Sequence, residues 1–190
     1  MSTKVIRHAI LDKLSSLEDI GKTHNRQRYS NRQSDFNDMY LEGQKLKGWT
    51  ISRVSTREKP FDTHTNIATH TWKIRGYLAL EDEIESELIF DDLIELIRDE
   101  FRSDDTLGNV VSSTYVGEQA ALQLDDVGPA TFAGVLCHAA TMTLFTEVEV
   151  DRYPQTTSEL HDFETAHMDY DLPEPDGNPE TSDTLTLEIS

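Results

Sequence analysis

Seven histidines and a single cysteine are the residues of this chain best suited to chemistry. An imidazole can hold a metal or relay a proton and a thiolate can attack an electrophile, so spacing decides what they do. His64 and His70 fall on one face of a predicted strand, but six residues set them roughly 20 Å apart, too far to share an ion. His161 and His167, with Asp162 and Glu164 between them, form a hydrophilic cluster that matches no zinc spacing and has no cysteine nearby. The stretch DYDLPEPDG (169–177) has the acid density of a calcium loop, yet Pro173 stands at its third ligand position and no glycine follows in place. Cys137 and His138 are neighbours on a predicted strand and must point to opposite faces, which denies them a nucleophile and base pairing. No G-x-S-x-G, phosphate loop or dinucleotide fingerprint occurs. The expectation is a protein that is not an enzyme, with no catalytic residues, no cofactor and no metal.

The elements that carry these residues are easier to read. Residues 4–20 place Ile6, Ile10, Leu14 and Leu17 on one helical face. Residues 21–47 are polar, with Lys22, Arg26, Arg28 and Arg32 in a run free of acids, and Phe36, Met39, Tyr40 and Leu41 suggest a short helix after Ser34. Alternation then predicts a strand over 47–60, ended by Pro60, and a second over 65–80. In the second strand His70, Trp72, Ile74, Leu78 and Leu80 share the greasy face, and Thr71, Lys73, Arg75 and Tyr77 the polar one. From Glu83 the period changes to three and four. Ile84, Leu88, Phe90, Leu93, Ile94, Ile97 and Phe101 make an apolar stripe, and acids including Glu87, Asp91, Asp92 and Glu95 fill the remainder. Strands are expected again over 108–116, 119–125 and 131–150, the last folded or bent, with Asp125–Pro129 as a turn.

This order predicts an α+β class: a mostly antiparallel sheet with two helices packed on one face, over residues 1–151. An extended acidic C-terminal arm, 152–190, follows it. That arm is expected to be flexible in isolation and ordered on a partner. Its last seven residues alternate Leu185, Leu187 and Ile189 with polar neighbours, a strand that could add to another protein's sheet edge. The lone cysteine excludes an intrachain disulfide. The N-terminus carries charges within its apolar pattern, unlike a signal peptide, and the uncharged run 127–146 contains Gly, Pro and His, so no membrane segment is expected.

Charge is divided along the chain. Residues 1–76 hold 14 Lys and Arg against 8 Asp and Glu, whereas residues 77–190 hold 3 against 28, within a net charge of −19. The acidic arm from Asp151 accounts for 11 of those acids, so most of the excess lies inside the domain. A molecule with a basic part and an acidic part can bind copies of itself front to back, and such contacts close into rings when the rotation allows.

The N-terminal helix, the basic loop, KGWTISR, THTWKIRGYLAL, the acidic helix ELIFDDLIELIRDEF and the strand around GVLCHAATMTL together resemble the tail terminator proteins of long-tailed bacteriophages. The resemblance covers residues 3–150 and rests on order and pattern. It implies a sheet with two helices and a hexameric ring in the virion, assembled in the host cytoplasm at the head-proximal end of the tail. Such a ring caps the tail tube, stops its polymerisation and presents a docking surface for the head-tail connector or neck protein. The implied partners are further copies of the chain, the tail tube protein and the connector, with genomic DNA passing through unbound. Lys22, Arg26, Arg28 and Arg32 are then candidates for a subunit or tube interface. Glu87, Asp91, Asp92, Glu95, Asp125 and Asp126 are candidates for a lumen that repels DNA, or for a surface facing a basic neighbour. Other readings of the same residues are an acidic DNA mimic or adaptor, and a connector (stopper) component.

Overall fold

The computed structural model describes residues 2–26, 40–42, 45–117, 121–132, 134–153, 165–170 and 181–186. The chain divides into two units, Met1–Tyr153 and Pro154–Ser190. The first is built from helix α1 (Thr3–Ser15), strands β1 (Lys22–His24), β2 (Leu41–Glu42), β3 (Lys45–Pro60) and β4 (Thr65–Ala79), helix α2 (Ser86–Ser103), and strands β5 (Leu122–Phe132) and β6 (Val135–Asp151). The sheet runs β1-β3-β4-β6-β5, with β2 paired to β3 off this path. Every pairing is antiparallel except the parallel β1–β3 pair. This is the mixed α+β content that the sequence leads one to expect.

Both helices bury their apolar stripes in one core. Ile6, Ile10 and Leu14 of α1 and Phe90, Ile94, Ile97 and Phe101 of α2 join Trp49, Trp72, Ile74, Met142 and Leu144 of the sheet in a single cluster. The strand residues are those that two-residue periodicity puts on one face. Trp49 fixes the close packing: it stacks on Phe90 with ring centroids 5.8 Å apart, and its indole lies where a Cβ on Gly76 would be, 2.2 Å from its Cζ3. Trp72 buries its indole N–H against Thr146 Oγ1 at 3.0 Å, so this buried side chain leaves no donor unmet. On the other face a smaller cluster of Tyr40, Leu46 and Cys137 is flanked by Tyr77 and Phe132, whose rings stack 4.0 Å apart.

Several expectations need correction. Asp125–Pro129 is not a turn but the middle of β5, which carries a bulge between Leu124 and Asp126. Pro129 is tolerated because β5 is an edge strand, where a missing N–H costs no ladder bond. The reversal comes instead at Gly134, whose φ of +82° suits glycine. The expected strand 108–116 is a run of turns whose one ladder contact among the described residues is a bridge from Ser113 to Glu147. Its Val111, and Leu107 just before it, are buried as plugs of the core. Ile84 and Leu88 are exposed, because a short 3-10 turn (Asp82–Ile84) precedes α2 and Leu88 lies far around the helix from Phe90. The helix expected after Ser34 lies outside the described residues.

In the second unit, β7 (Thr165–Tyr170) and β8 (Thr181–Thr186) pair antiparallel, Thr165 opposite Thr186. A strand at 165–170 was not expected from that aperiodic sequence. Leu185 belongs to β8, opposite Ala166; Leu187 and Ile189 lie outside the described residues. No helix among the described residues is long and apolar enough to cross a membrane.

Candidate functional site

The strand order separates the two halves of the sequence across the sheet. β3 and β4 form a hairpin from the basic half, β5 and β6 one from the acidic half, and β4 meets β6 in the middle. The two outer strands are therefore β1–β3 and β5, about 15 Å apart from β3 to β5 across three inter-strand spacings. Helix α1 lies over β1 and β3, and α2 over β4, β6 and β5. One flank of the domain thus consists of α1, β1 and the outer edge of β3. The opposite flank consists of α2 and β5.

Many charges are matched within the chain. Lys13 bridges α1 to α2 through Glu100 (3.0 Å) and Asp104 (3.6 Å), Lys45 pairs with Glu81 and Lys47 with Asp19, and Arg98 and Arg102 pair with Glu95 and Asp99 along α2. Of the charges left over, Asp12, Glu18 and Glu58 stand among the cations of the first flank and Arg75 in β4 between the flanks, but the surplus on each flank differs in sign. Among the described residues Arg7, Arg26, Arg53 and Arg57 form no ion pair, and neither do Glu87, Asp91, Asp92 and Asp126. The four arginines belong to α1, the end of β1 and the outer edge of β3. The four acids belong to the exposed side of α2 and to β5.

Three of the arginines stand together. Arg7 stacks over the Trp72 ring at 5.5 Å from its centroid and donates to the Asn25 carbonyl at 2.6 Å. Desolvation, and then the charge of Arg53, hold its guanidinium below the ordinary arginine pKa. Arg26 follows β1 and borders, with Arg7, His24 and Asn25, an open cavity of ≈ 660 Å³. His70, buried beneath, is held below the usual imidazole pKa first by burial and then by Arg53, against an opposing effect of Glu58. Sequence reading named Arg26 but missed Arg7 and Arg53. They meet because α1 lays Arg7 over Trp72, which lies opposite Arg53 in the β3–β4 register. Lys22 sits in β1 opposite Gly48, and Arg28 and Arg32 lie outside the described residues.

The acidic candidates divide in two. Glu87, Asp91, Asp92 and Glu95 are exposed on α2, Glu95 being bound by Arg98. Asp125 is on the sheet's other face. Its Oδ2 accepts from Lys73 Nζ at 2.9 Å and from Thr143 Oγ1 at 2.7 Å, so it is a structural tie rather than an open carboxylate. Asp126, just past the bulge, lies opposite Thr141 on that same face; it is exposed at the β5 edge and makes no such tie. Exposed apolar residues accompany the acids: Leu88 on α2, Leu124 and Val127 on β5, and Leu136 at the start of β6. On the basic flank Val5 and Val54 are exposed, Val54 because a bulge between Arg53 and Ser55 turns it outward.

The residues suited to catalysis stay apart or serve the fold. Cys137 is fully buried and burial pushes its thiol up, while a backbone hydrogen bond at Phe132 pulls weakly the other way. His138 faces α2 on the opposite side of the sheet, as expected. There Ser86 Oγ, which accepts the Glu81 N–H at 2.8 Å, shares a hydrogen bond with His138 Nε2 at 2.9 Å. Sequence reading missed this pair, which joins residues 52 positions apart. Both side chains are buried, and among the described residues no carboxylate hydrogen-bonds to His138. The pair anchors the start of α2 to β6. No cluster of three or more metal-ligating side chains occurs among the described residues. No protein-family model matches the chain, and no curated protein matches it in sequence.

Proposed function

We propose that this chain is a structural virion subunit that assembles with its own copies into a ring, and that the ring terminates a bacteriophage tail tube. The observation that supports the reading is the surplus of charge on each flank, positive on α1, β1 and β3 and negative on α2 and β5, at opposite edges of one sheet. A two-fold contact would bring a surface against itself, and two flanks that face opposite ways cannot both enter one such contact. Head-to-tail contact uses both, and repeated with a fixed rotation it closes. The resemblance in element order to tail terminators supplies the setting: the tube below, a connector above, DNA through the middle.

The carboxylates of α2 suit that setting. A lumen rich in Lys and Arg would bind phosphates with release of counterions and hold the genome, whereas acids repel DNA and let it slide. A second reading, an acidic decoy for a DNA-binding protein, draws on the row Glu87–Asp91–Glu95, which presents a carboxylate about every 6 Å along the helix. The arginine cluster on the opposite flank favours the ring. Solution mass measured across concentration and salt, with and without purified tail tubes, followed by electron microscopy, tests the proposal. Closed rings, free or seated on tube ends, are expected. A monomer that neither closes nor caps tubes, but binds one basic protein tightly, would replace the ring with the decoy.

A further inference from the structure

Among the cavities, the buried Ser86–His138 pair, the exposed hairpin tip at Phe61 and the two flanks, the flanks carry an inference furthest. We infer that adjacent copies of this chain join with the Arg7–Arg26–Arg53 cluster of one against Asp91, Asp92 and Asp126 of the next, around a small apolar seam. The inference rests on the ring reading above and says which surfaces make the ring.

Four observations lead to it. The first is electrostatic: these arginines and these carboxylates form no ion pair among the described residues, and although Asp12, Glu18 and Glu58 on the first flank and Arg75 in β4 form none either, the surplus is positive on α1, β1 and β3 and negative on α2 and β5. The second is the crowding of like charge. Arg53 stands close enough to Arg7 to disfavour its ionised form, in addition to the effect of Arg7's desolvation. A cluster of cations assembled at a cost is relieved when a carboxylate docks beside it. The third is apolar: Leu88, Leu124, Val127 and Leu136 are exposed on α2, β5 and the start of β6, and Val5 and Val54 on α1 and β3. A seam of apolar residues ringed by opposite charges has the make-up of an interface core and rim.

The fourth is the state of the two strand edges. β3 and β5 run in opposite directions, since each of the three pairings β3–β4, β4–β6 and β6–β5 is antiparallel. A copy rotated about a ring axis therefore brings its β3 alongside the first copy's β5 in the antiparallel sense. Both edges nevertheless carry a bulge, and they carry Pro60 and Pro129. These features discourage continuous backbone pairing and protect the free chain from indiscriminate edge-to-edge aggregation. The junction is consequently held by side chains: guanidinium against carboxylate, which Arg can engage through two donors at once, and valine against leucine. It depends on charge matching rather than on a generic strand edge.

Charge exchange on the full chain tests this. R26E/R53E should weaken self-association more than about tenfold, because like charges would then face each other across the junction. D91R/D92R/D126R should do the same from the other side. These positions are exposed and outside the core, so circular dichroism and the melting temperature should stay close to those of the parent chain. Combining all five changes in one chain restores opposite charges at every junction and should restore assembly. Rings that form normally with either single-flank variant would overturn the junction while leaving the ring reading intact. So would loss of assembly that the combined variant fails to rescue while its fold is unchanged. A parent chain that forms no oligomer, free or on tubes, would overturn both. Binding of a short DNA duplex that R26E/R53E abolishes would assign the arginines to phosphates instead.

Discussion

The α1–β1–β3 flank and the α2–β5 flank rest on one core, yet they differ in almost every surface property. The first is basic and poor in apolar exposure; the second is acidic and interrupted by Leu88, Leu124, Val127 and Leu136. The cause is topological. Each flank is the outer half of a hairpin built from its own part of the chain, and the hairpins meet through β4 and β6. A division of charge along the sequence therefore becomes a division across the sheet. Had the order been β4-β3-β5-β6, the same charges would have met in the middle and neutralised one another.

The largest effect should come from breaking what the flanks share. Gly76→Ala drives a Cβ into the Trp49 ring, which separates β4 from α2. A destabilisation of about 3 kcal/mol is expected from overpacking there, seen as a fall in the denaturant midpoint together with loss of assembly.

Salt should act next, and on assembly alone. In the proposed junction the flanks meet through exposed charges, and the Debye length shrinks from about 10 Å at 0.1 M to about 3 Å at 1 M. Self-association measured by analytical ultracentrifugation should weaken by about tenfold over that range, in proportion to the screening of the leftover charges. Constant association would show that the apolar seam alone joins the copies.

A smaller, one-sided effect is expected from pH. His70 lies under the basic flank, and burial, followed by Arg53, keeps its folded pKa below 6.5. The unfolded chain takes up a proton near pH 6.5 that the folded chain refuses. The stability contribution is therefore complete above pH 6.5 and is lost as pH falls from there through the folded pKa. His70→Gln should flatten the stability curve over that window in urea titrations; a parallel curve would remove His70 from the account.

The smallest effect separates two adjacent acids. Asp125→Asn loses a tie to Lys73 that is partly open to solvent, worth about 1 kcal/mol or less, and should leave assembly unchanged. Asp126→Asn should leave stability unchanged and weaken assembly.

That pair of residues also shows what the sequence could and could not disclose. The period-two faces of β4 and β6 and the stripe of α2 were legible because each side of these elements meets a different environment. Asp125–Pro129 was misread because its composition is that of a turn; a bulged edge strand tolerates the same residues, and only pairing with β6 distinguishes the two. Likewise Asp125 and Asp126 are indistinguishable in sequence until the bulge gives one to Lys73 and the other to solvent. The arginine cluster was half legible. Arg26 stood in a conspicuous basic run, but Arg7 and Arg53 joined it only through the packing of α1 over Trp72 and the β3–β4 register, contacts that local periodicity does not encode.

The most direct measurement mixes two chains, each with one neutralised flank. One carries R26A/R53A and retains its acids; the other carries D91N/D92N/D126N and retains its arginines. Each should be monomeric alone at concentrations where the parent chain assembles. Mixed in equal amounts they have one intact junction between them, and the mass by ultracentrifugation should be that of a one-to-one dimer that grows no further. Two variants that remain monomeric when mixed, or that assemble freely on their own, would contradict the head-to-tail meeting of the two flanks.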